Sequence, residues 1–282
     1  MKKKPNIGAH VRTEGGLVSA IENAERIGAK CFQIFGASPR QWRALFPKEE
    51  DVKLFKKLLK EKELGPVFLH ASYLVNLASA NGDILEKSIK NLSDHLQIAS
   101  MLGAEGLIFH VGSSRGMEKK KALDQEVSAM KEVLKNVTGS SLIMENTAGG
   151  GEKIGSIEDI GYLYGNIKSD RVNICFDTAH ALEAGMIESY APPRIKKLFD
   201  EWEEAVGLEH IVAIHANDSK TTYNSNHDRH ENIGMGEIGM EGFKDLAKEK
   251  RLLDKCWILE VPGYEGNGPD RKNIETLSSC FL

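Results

Sequence analysis

The chain has 282 residues, of which 41% are apolar and 28% charged, and it carries a formal net charge of −4. This is enough apolar material for a large core, and it suits one barrel domain over residues 1–282 better than two small ones. The charge balance excludes a chain that is basic throughout, although it leaves room for a local basic rim.

The first residues do not predict export. Residues 1–5 are basic, as in the first part of a secretory signal, but no apolar stretch follows, since His10, Arg12 and Glu14 come at once. No stretch reaches the roughly 18 apolar residues of a membrane span. The four cysteines form no CxxC pair, which favours reduced thiols over disulfides or zinc thiolates. We therefore expect a cytoplasmic protein with no membrane partner.

Strand and helix signals alternate along the chain, which predicts an α/β protein. The expected strands lie at residues 6–11 and 31–35 and in short apolar runs that end near residues 70, 110, 145, 177, 215 and 260. The expected helices lie at about residues 17–28, 50–63, 83–102, 118–136, 193–206 and 241–252, with a short one before strand six. That makes eight strands, and no linker divides them.

Six of the strands share one feature at their ends. In each, three apolar residues are followed directly by a side chain that can bind a metal, and these end residues are His70, His110, Glu145, Asp177, His215 and Glu260. The gaps between them are 40, 35, 32, 38 and 45 residues, about one strand-plus-helix unit each. Continuous apolar runs are typical of strands buried on both faces. The pattern predicts a TIM barrel whose donors converge at its C-terminal mouth, where such enzymes keep their chemistry.

Two further segments add donors. His180 follows Asp177 by three residues, and Asp228 and His230 lie in a long polar segment at about residues 216–240, which we expect to be a functional loop. The full set of five imidazoles and four carboxylates suits zinc or manganese better than magnesium or calcium. A catalytic zinc ion takes about three or four protein ligands, so this set could hold three ions if one carboxylate bridges.

Such a cluster predicts hydrolysis of phosphate esters, because metal ions activate water and stabilise the attacking and leaving oxygens. The four carboxylates alone would repel a phosphodiester, whereas three Zn²⁺ ions would bring the net charge of the site to +2. A single strand-end histidine is more often a hydrogen-bonded structural residue. Six strand ends that each carry a metal-capable residue at the same position argue against independent structural roles for these six residues.

These segments resemble the endonuclease IV family of zinc-dependent apurinic/apyrimidinic (AP) endonucleases over essentially the whole chain. The segments that carry the resemblance are residues 7–11, 40–43, 72–77, 145–149, 177–180, 215–220 and 228–230. The last two, His-Ala-Asn-Asp-Ser-Lys and Asp-Arg-His, are the most specific. The chain departs from the family pattern at Asn224, where Gly is usual, and at Ala216, where Leu is usual. Neither departure removes a ligand, but the first puts the loop backbone in question.

The resemblance implies a TIM barrel that holds three zinc ions. The first ion would be held by His70, His110 and a bridging, catalytic Glu145. The second would be held by Glu145, Asp177, His215 and Glu260, and the third by His180, Asp228 and His230.

The resemblance also implies an activity and a substrate. The family cleaves the phosphodiester 5′ to an abasic site, leaving a 3′-hydroxyl and a 5′-deoxyribose phosphate, and it removes blocking groups from 3′ ends. The implied partner is double-stranded DNA with such lesions, bound by a monomer without an obligate protein partner. An abasic nucleotide lacks base stacking and pairing, so turning it out of the duplex costs little free energy. DNA that bends at the lesion also offers the protein further contacts. The implied DNA-binding residues are Arg40, Gln41, Tyr73, Leu74, Lys220 and Arg229.

Two other functions stay open on the sequence. A sugar isomerase or epimerase of the xylose-isomerase-like barrels would hold a divalent metal with Glu145, Asp177, His215 and Glu260, but it would leave five donors without a role. A non-catalytic binder of damaged DNA would not need metals that activate water. About three zinc ions per chain would favour the nuclease over the isomerase, for which one or two manganese or magnesium ions are expected.

Overall fold

The structure is a computed structural model that describes residues 4–282. Met1, Lys2 and Lys3, which contribute to the expectation about export, lie outside the described residues. Within residues 4–282, no helix combines the length and apolar character that a membrane crossing requires.

Eight parallel strands close into a barrel, so the predicted TIM-barrel fold is confirmed. The eight barrel strands in chain order are β1 (Asn6–His10), β2 (Phe32–Phe35), β3 (Val67–His70), β4 (Gly106–His110), β5 (Ser141–Glu145), β6 (Val172–Asp177), β7 (Ile211–His215) and β10 (Cys256–Leu259). Two short strands, β8 (Asp218–Ser219) and β9 (His230–Glu231), lie between β7 and β10 in the sequence. β1 pairs with both β2 and β10, which closes the barrel, while β8 and β9 form a separate antiparallel pair.

Helices surround the barrel. They are α1 (Leu17–Ile27), α2 (Glu49–Glu61), α3 (Gly82–Leu102), α4 (Lys119–Asn136), α5 (Ile157–Ile167), α6 (Thr178–Glu183), α7 (Pro192–Ala205), α8 (Gly239–Leu246) and α9 (Arg271–Ser279). Their apolar faces pack on the outward side of the strands, and the packed side chains include Phe55 of α2 and Trp202 of α7, both completely buried.

The barrel interior explains why the strand ends carry donors. One buried cluster fills the lower part of the interior and contains Phe68, Ile108, Ile143, Cys175, Ala213 and Ile258. Each of these residues comes two positions before one of the six predicted strand-end donors. Because alternate residues of a strand point to the same side, each donor lies inside the barrel, one level closer to the mouth. An apolar plug therefore supports a polar layer.

The structure differs from the predicted secondary structure in four places. The segment 216–240 is not a continuous loop, since it contains the β8–β9 hairpin, whose strands of two residues each are too short to show alternation. The helix α6 was not predicted, because it has only six residues and follows β6 directly, which leaves no room for a helical apolar stripe. The predicted 241–252 helix ends at Leu246, with a separate 3-10 turn at Lys250–Leu252. The C-terminal α9 was not predicted.

Candidate metal centre

Glu145 lies at the centre of the polar layer and is completely buried. Its Oε2 is 3.1 Å from Nε2 of His70 and 3.2 Å from Nε2 of His110. Its Oε1 is 2.9 Å from Nδ1 of His215 and 3.4 Å from Nδ1 of His180. Oε2 therefore faces His70 and His110, and Oε1 has His215 as its nearest imidazole, so the two oxygens could serve two different metal ions.

The second group of donors surrounds His215. Its Nδ1 is 3.3 Å from Oε2 of Glu260 and 3.8 Å from Oδ2 of Asp177, in addition to its contact with Glu145. Ligand atoms of these four residues all lie within 4.8 Å of one another. Glu260 comes just after β10 and not within it, so its carboxylate reaches the cluster from the rim of the barrel.

The third group lies closer to solvent. Nε2 of His180 is 3.3 Å from Oδ2 of Asp228, and Nε2 of His230 is 3.5 Å from Oδ1 of Asp228. Asp177 also approaches this group, since its Oδ2 is 3.8 Å from Nε2 of His230. The structure thus brings all nine predicted donors to one site, but it places Asp177 between the second and third groups.

The charges of the site stabilise one another. Burial alone would raise the pKa of Glu145, but the imidazoles of His215 and His110 outweigh it and hold that pKa well below its usual range. Burial would lower the pKa of His180, yet Asp177 and Asp228 raise it well above the usual value. Burial would also lower the pKa of His215, and Cys175, followed by the carboxylates of Glu260 and Glu145, raises it well above the usual value. The metal-free site therefore keeps protons on imidazoles, and a metal ion would have to displace them.

Two buried imidazole nitrogens also indicate that the site suits divalent metal ions. Nε2 of His180 and Nε2 of His230 are buried and lack a hydrogen-bond partner among the described residues, although carboxylate oxygens lie near both. A buried polar atom without a partner costs about 1–3 kcal/mol. A zinc ion among these imidazoles and carboxylates would satisfy both nitrogens with the ligand types that zinc prefers.

Backbone carbonyls fix which nitrogen of two imidazoles faces the site. Nδ1 of His70 donates to the carbonyl of Ala71 at 2.9 Å, and Nδ1 of His180 donates to the carbonyl of Asn146 at 2.9 Å. This directs Nε2 of each ring toward the donor cluster, where its lone pair becomes available once a metal ion displaces the proton. Metal-binding histidines usually donate their other N–H in this way, so the surroundings already suit metal ligation.

Gln33 and Asn217 are functional candidates that the sequence reasoning missed. The completely buried Gln33 amide donates to Oε1 of Glu260 at 2.6 Å, and its Oε1 accepts from Nε2 of His215 at 2.8 Å. Asn217 donates to Oδ2 of Asp177 at 2.7 Å and accepts from the backbone N–H of Glu260 at 2.8 Å. A polar residue two positions after Cys31, in an otherwise apolar strand, was the available signal for Gln33.

The predicted DNA-binding residues lie around the mouth and are all exposed. Tyr73 is 61% exposed, and its ring centre is 6.0 Å from that of His70. It lines an open groove of about 1340 Å³ together with Pro39, Arg229 and Glu260. Hydrogen bonds from Ser72 Oγ (2.7 Å) and from the Tyr73 N–H (3.1 Å) to the carbonyl of Pro39 tie the two loops together.

The other four predicted contacts lie outside the lining of this groove. Arg40 and Gln41 extend from the loop between β2 and α2, and Leu74 follows Tyr73. Lys220 follows β8, and its backbone N–H donates to the carbonyl of Arg229 at 2.8 Å. The structure therefore places the six residues on the same face as the donors but not in a single pocket.

The two departures from the family pattern have a simple structural setting. Asn224 adopts a φ of 57°, in the left-handed region that glycine favours and that asparagine tolerates. Its backbone N–H donates to the carbonyl of Leu182 at 3.0 Å, which anchors the loop to α6. Ala216 is completely buried just after β7. The loop that carries Asp228 and His230 thus keeps a glycine-like turn without glycine.

Comparison with known proteins first gives the class. A family model for AP endonuclease family 2, described as a xylose isomerase-like TIM barrel, matches residues 21–280. A solved D-tagatose 3-epimerase-like protein has a TM-score of 0.71 and covers 93% of this chain and 92% of its own, at 19% identity. At that identity the likeness shows the fold alone. The chain is a xylose isomerase-like TIM-barrel protein.

Closer relatives then define the family. A protein named "Probable endonuclease 4" from Thermosipho africanus is 35% identical over 275 residues, which is 96% of each chain. Another of that name from Aquifex aeolicus is 33% identical over 277 residues, 97% of each chain. The crystal structure of endonuclease IV from Thermus thermophilus is 35% identical, covers 98% of each chain and has a TM-score of 0.85. The chain belongs to the endonuclease IV family, as its sequence predicted.

Proposed function

We propose that this protein is a DNA-repair endonuclease with three zinc ions that hydrolyses the phosphodiester 5′ to an abasic site. The products would be a 3′-hydroxyl and a 5′-deoxyribose phosphate, and the same site would remove blocking groups from 3′ ends. Family membership supports the reaction class, because the relatives are named as endonucleases over nearly the whole chain. All nine donors come from one chain, so the proposal requires neither a second subunit nor a second domain.

The single observation that carries the proposal is the position of Glu145. Its Oε2 faces His70 and His110, whereas its Oε1 faces His215. Glu260 and Asp177 lie beside the His215 imidazole. A sugar isomerase would need only the quartet of Glu145, Asp177, His215 and Glu260. The remaining five donors converge on the same site, and the proposed nuclease is the function that uses them.

In the proposed assignment, His70, His110 and Glu145 hold one ion, and Glu145, Asp177, His215 and Glu260 hold the second. The third ion is held by His180, Asp228 and His230. When bound, these ions supply activated water and positive charge for the attacking and leaving oxygens of the phosphodiester. The four carboxylates are then outweighed by three divalent cations, so the site attracts a phosphate backbone.

The residues around the site would prepare the substrate. Tyr73 stands beside the donors, within reach of a nucleotide turned out of the duplex into the groove. Arg40, Gln41 and Leu74 lie on the loops joined to it and would enter the space that the missing base leaves. Arg229 and Lys220, on the opposite hairpin, would contact backbone phosphates. An intact base pair resists this deformation, which gives the preference for abasic DNA.

The test is to incubate the zinc-loaded protein with an end-labelled duplex that carries one abasic analogue, with and without a chelator. The proposal predicts a single cut on the 5′ side of the lesion, which the chelator prevents and added zinc restores. Tight binding without cleavage in a zinc-replete sample would instead favour a damage-binding protein. Activity on a sugar with one or two manganese or magnesium ions would favour the isomerase.

A further inference from the structure

Glu183 is a buried carboxylate that the proposed assignment of ligands does not use. It is the last residue of α6, three positions after His180, so the two side chains lie on the same face of that helix. The residue is completely buried. A ligand atom of Glu183 lies within 4.8 Å of ligand atoms of both His180 and Asp228.

The two oxygens of Glu183 have different surroundings. Oε1 accepts hydrogen bonds from the hydroxyl of Ser219 at 2.6 Å, from the backbone N–H of Arg229 at 3.2 Å and from the hydroxyl of Thr221 at 3.4 Å. Oε2 is buried and has no hydrogen-bond partner among residues 4–282. Oε1 of Glu183 therefore has three hydrogen-bond donors, whereas Oε2 has none among residues 4–282 and is available to bind a cation.

A second buried polar atom in the group formed by Glu183, His180 and Asp228 also lacks a hydrogen-bond partner among the described residues. Nε2 of His180 is also buried without a hydrogen-bond partner in the described part of the chain, and it lies 3.3 Å from Oδ2 of Asp228. A buried charged oxygen that lacks a partner is strongly unfavourable. One cation placed among these three side chains would satisfy the imidazole and both carboxylates.

We propose that Glu183 is a fourth protein ligand of the outermost metal ion, together with His180, Asp228 and His230. This inference rests on the metal centre of the proposed function and extends it by one residue. Four protein ligands are typical of a structural zinc ion, whereas a catalytic ion keeps a position open. The outermost ion would then hold the loop around Asp228 and His230 closed. The ion assigned to His70, His110 and Glu145, which has three protein ligands, would keep an open position.

The same contacts could mean only that Glu183 tethers the loop through Oε1, and a pair of variants separates the two roles. Glu183→Gln keeps an acceptor for Ser219 and Arg229 but removes the charge offered to the metal. Ser219→Ala removes the shortest hydrogen bond of the tether and leaves the carboxylate intact. Each zinc-loaded protein is exposed to rising concentrations of a chelator, and the zinc retained is measured by elemental analysis.

We expect the wild-type protein and Ser219→Ala to retain three ions over the same range. Glu183→Gln should release one ion at a chelator concentration at least about tenfold lower, since loss of a ligand should weaken binding no less than loss of a residue that orients one. An unchanged release profile for Glu183→Gln, or equal loss from Ser219→Ala, would overturn the inference. A wild-type protein that never holds three ions would instead refute the proposed function.

A measurement on the wild-type protein alone covers the case in which Glu183→Gln does not fold. Anomalous diffraction from zinc-loaded crystals should place the outermost ion about 2.0–2.2 Å from an oxygen of Glu183. An ion bound by His180, Asp228 and His230, with Glu183 clearly beyond ligand distance, would overturn the inference while leaving the metal centre intact.

Discussion

Replacement of Gln33 by leucine tests whether the residues behind the donors hold the metal site in shape. The Gln33 amide is completely buried and joins Oε1 of Glu260 to Nε2 of His215, with contacts of 2.6 and 2.8 Å. Leucine has a similar size but no polar atoms. Gln33→Leu therefore removes one hydrogen bond to a carboxylate and leaves a buried imidazole N–H without a partner.

The expected magnitude follows from those two losses. A buried polar group left without a partner costs about 1–3 kcal/mol. Loss of a residue that orients metal ligands typically lowers metal affinity about tenfold to a hundredfold. A tenfold change in affinity corresponds to about 1.4 kcal/mol, so a tenfold to hundredfold loss of metal affinity falls within the range of about 1–3 kcal/mol. We expect Gln33→Leu to bind zinc about tenfold to a hundredfold more weakly at the pair formed by His215 and Glu260.

Zinc affinity would be measured by competition with a chromophoric chelator, and folding by circular dichroism of the same samples. Gln97→Leu is the matched control, because Gln97 is an exposed residue of α3 outside the metal site. The control should bind zinc as the wild-type protein does. A folded Gln33→Leu protein with unchanged zinc affinity would show that the amide does not orient these ligands.

Four further predictions follow from the proposed site. Glu145→Gln should nearly abolish cleavage while the fold is kept, and near-normal turnover would contradict a bridging role. Tyr73→Ala should reduce the preference for abasic over intact duplex in a binding assay without loss of zinc, so unchanged selectivity would remove Tyr73 from the interface. Zinc affinity should fall as the pH is lowered, because the raised pKa values of His180 and His215 mean that protons compete with the metal; a flat profile in calorimetry would refute this. Added salt should weaken DNA binding, because contacts with phosphates release counterions and this release becomes less favourable as the salt concentration rises; a flat response would argue against phosphate contacts.

The sign of the pH effect can be stated for the metal-free protein as well. The pKa values of His180 and His215 are higher in the folded chain than in the unfolded chain. Their protonation therefore stabilises the metal-free fold at low pH, and this contribution is lost as the pH rises through the raised pKa values. Zinc should consequently stabilise the fold more at the alkaline end of this range.

The barrel and its strand ends were predictable because both depend on local pattern. An apolar run followed by a donor fixes the strand, and the alternation of side chains then places the donor inside the barrel, as Ile143 and Glu145 show. The short α6 and the β8–β9 hairpin were not predictable in this way, since six and two residues per element are too few to show a period.

The residues that orient or extend the donor set depend on contacts between distant parts of the chain. Gln33 meets His215 across 182 positions, and Glu183 meets Ser219 across 36. Each stands in a segment whose own pattern, a buried strand for Gln33 and an unrecognised helix for Glu183, gives no sign of its partner. Gln33 and His215 meet because the barrel closes through β1 and β10, and Glu183 and Ser219 meet because α6 packs against the hairpin.

The most direct measurement of the central proposal is elemental analysis of the purified, zinc-loaded protein, combined with cleavage of an abasic duplex by the same sample. We predict three zinc ions per chain and a cut 5′ to the lesion that disappears as the ions are removed. Undiminished cleavage by protein free of transition metal would contradict the proposal.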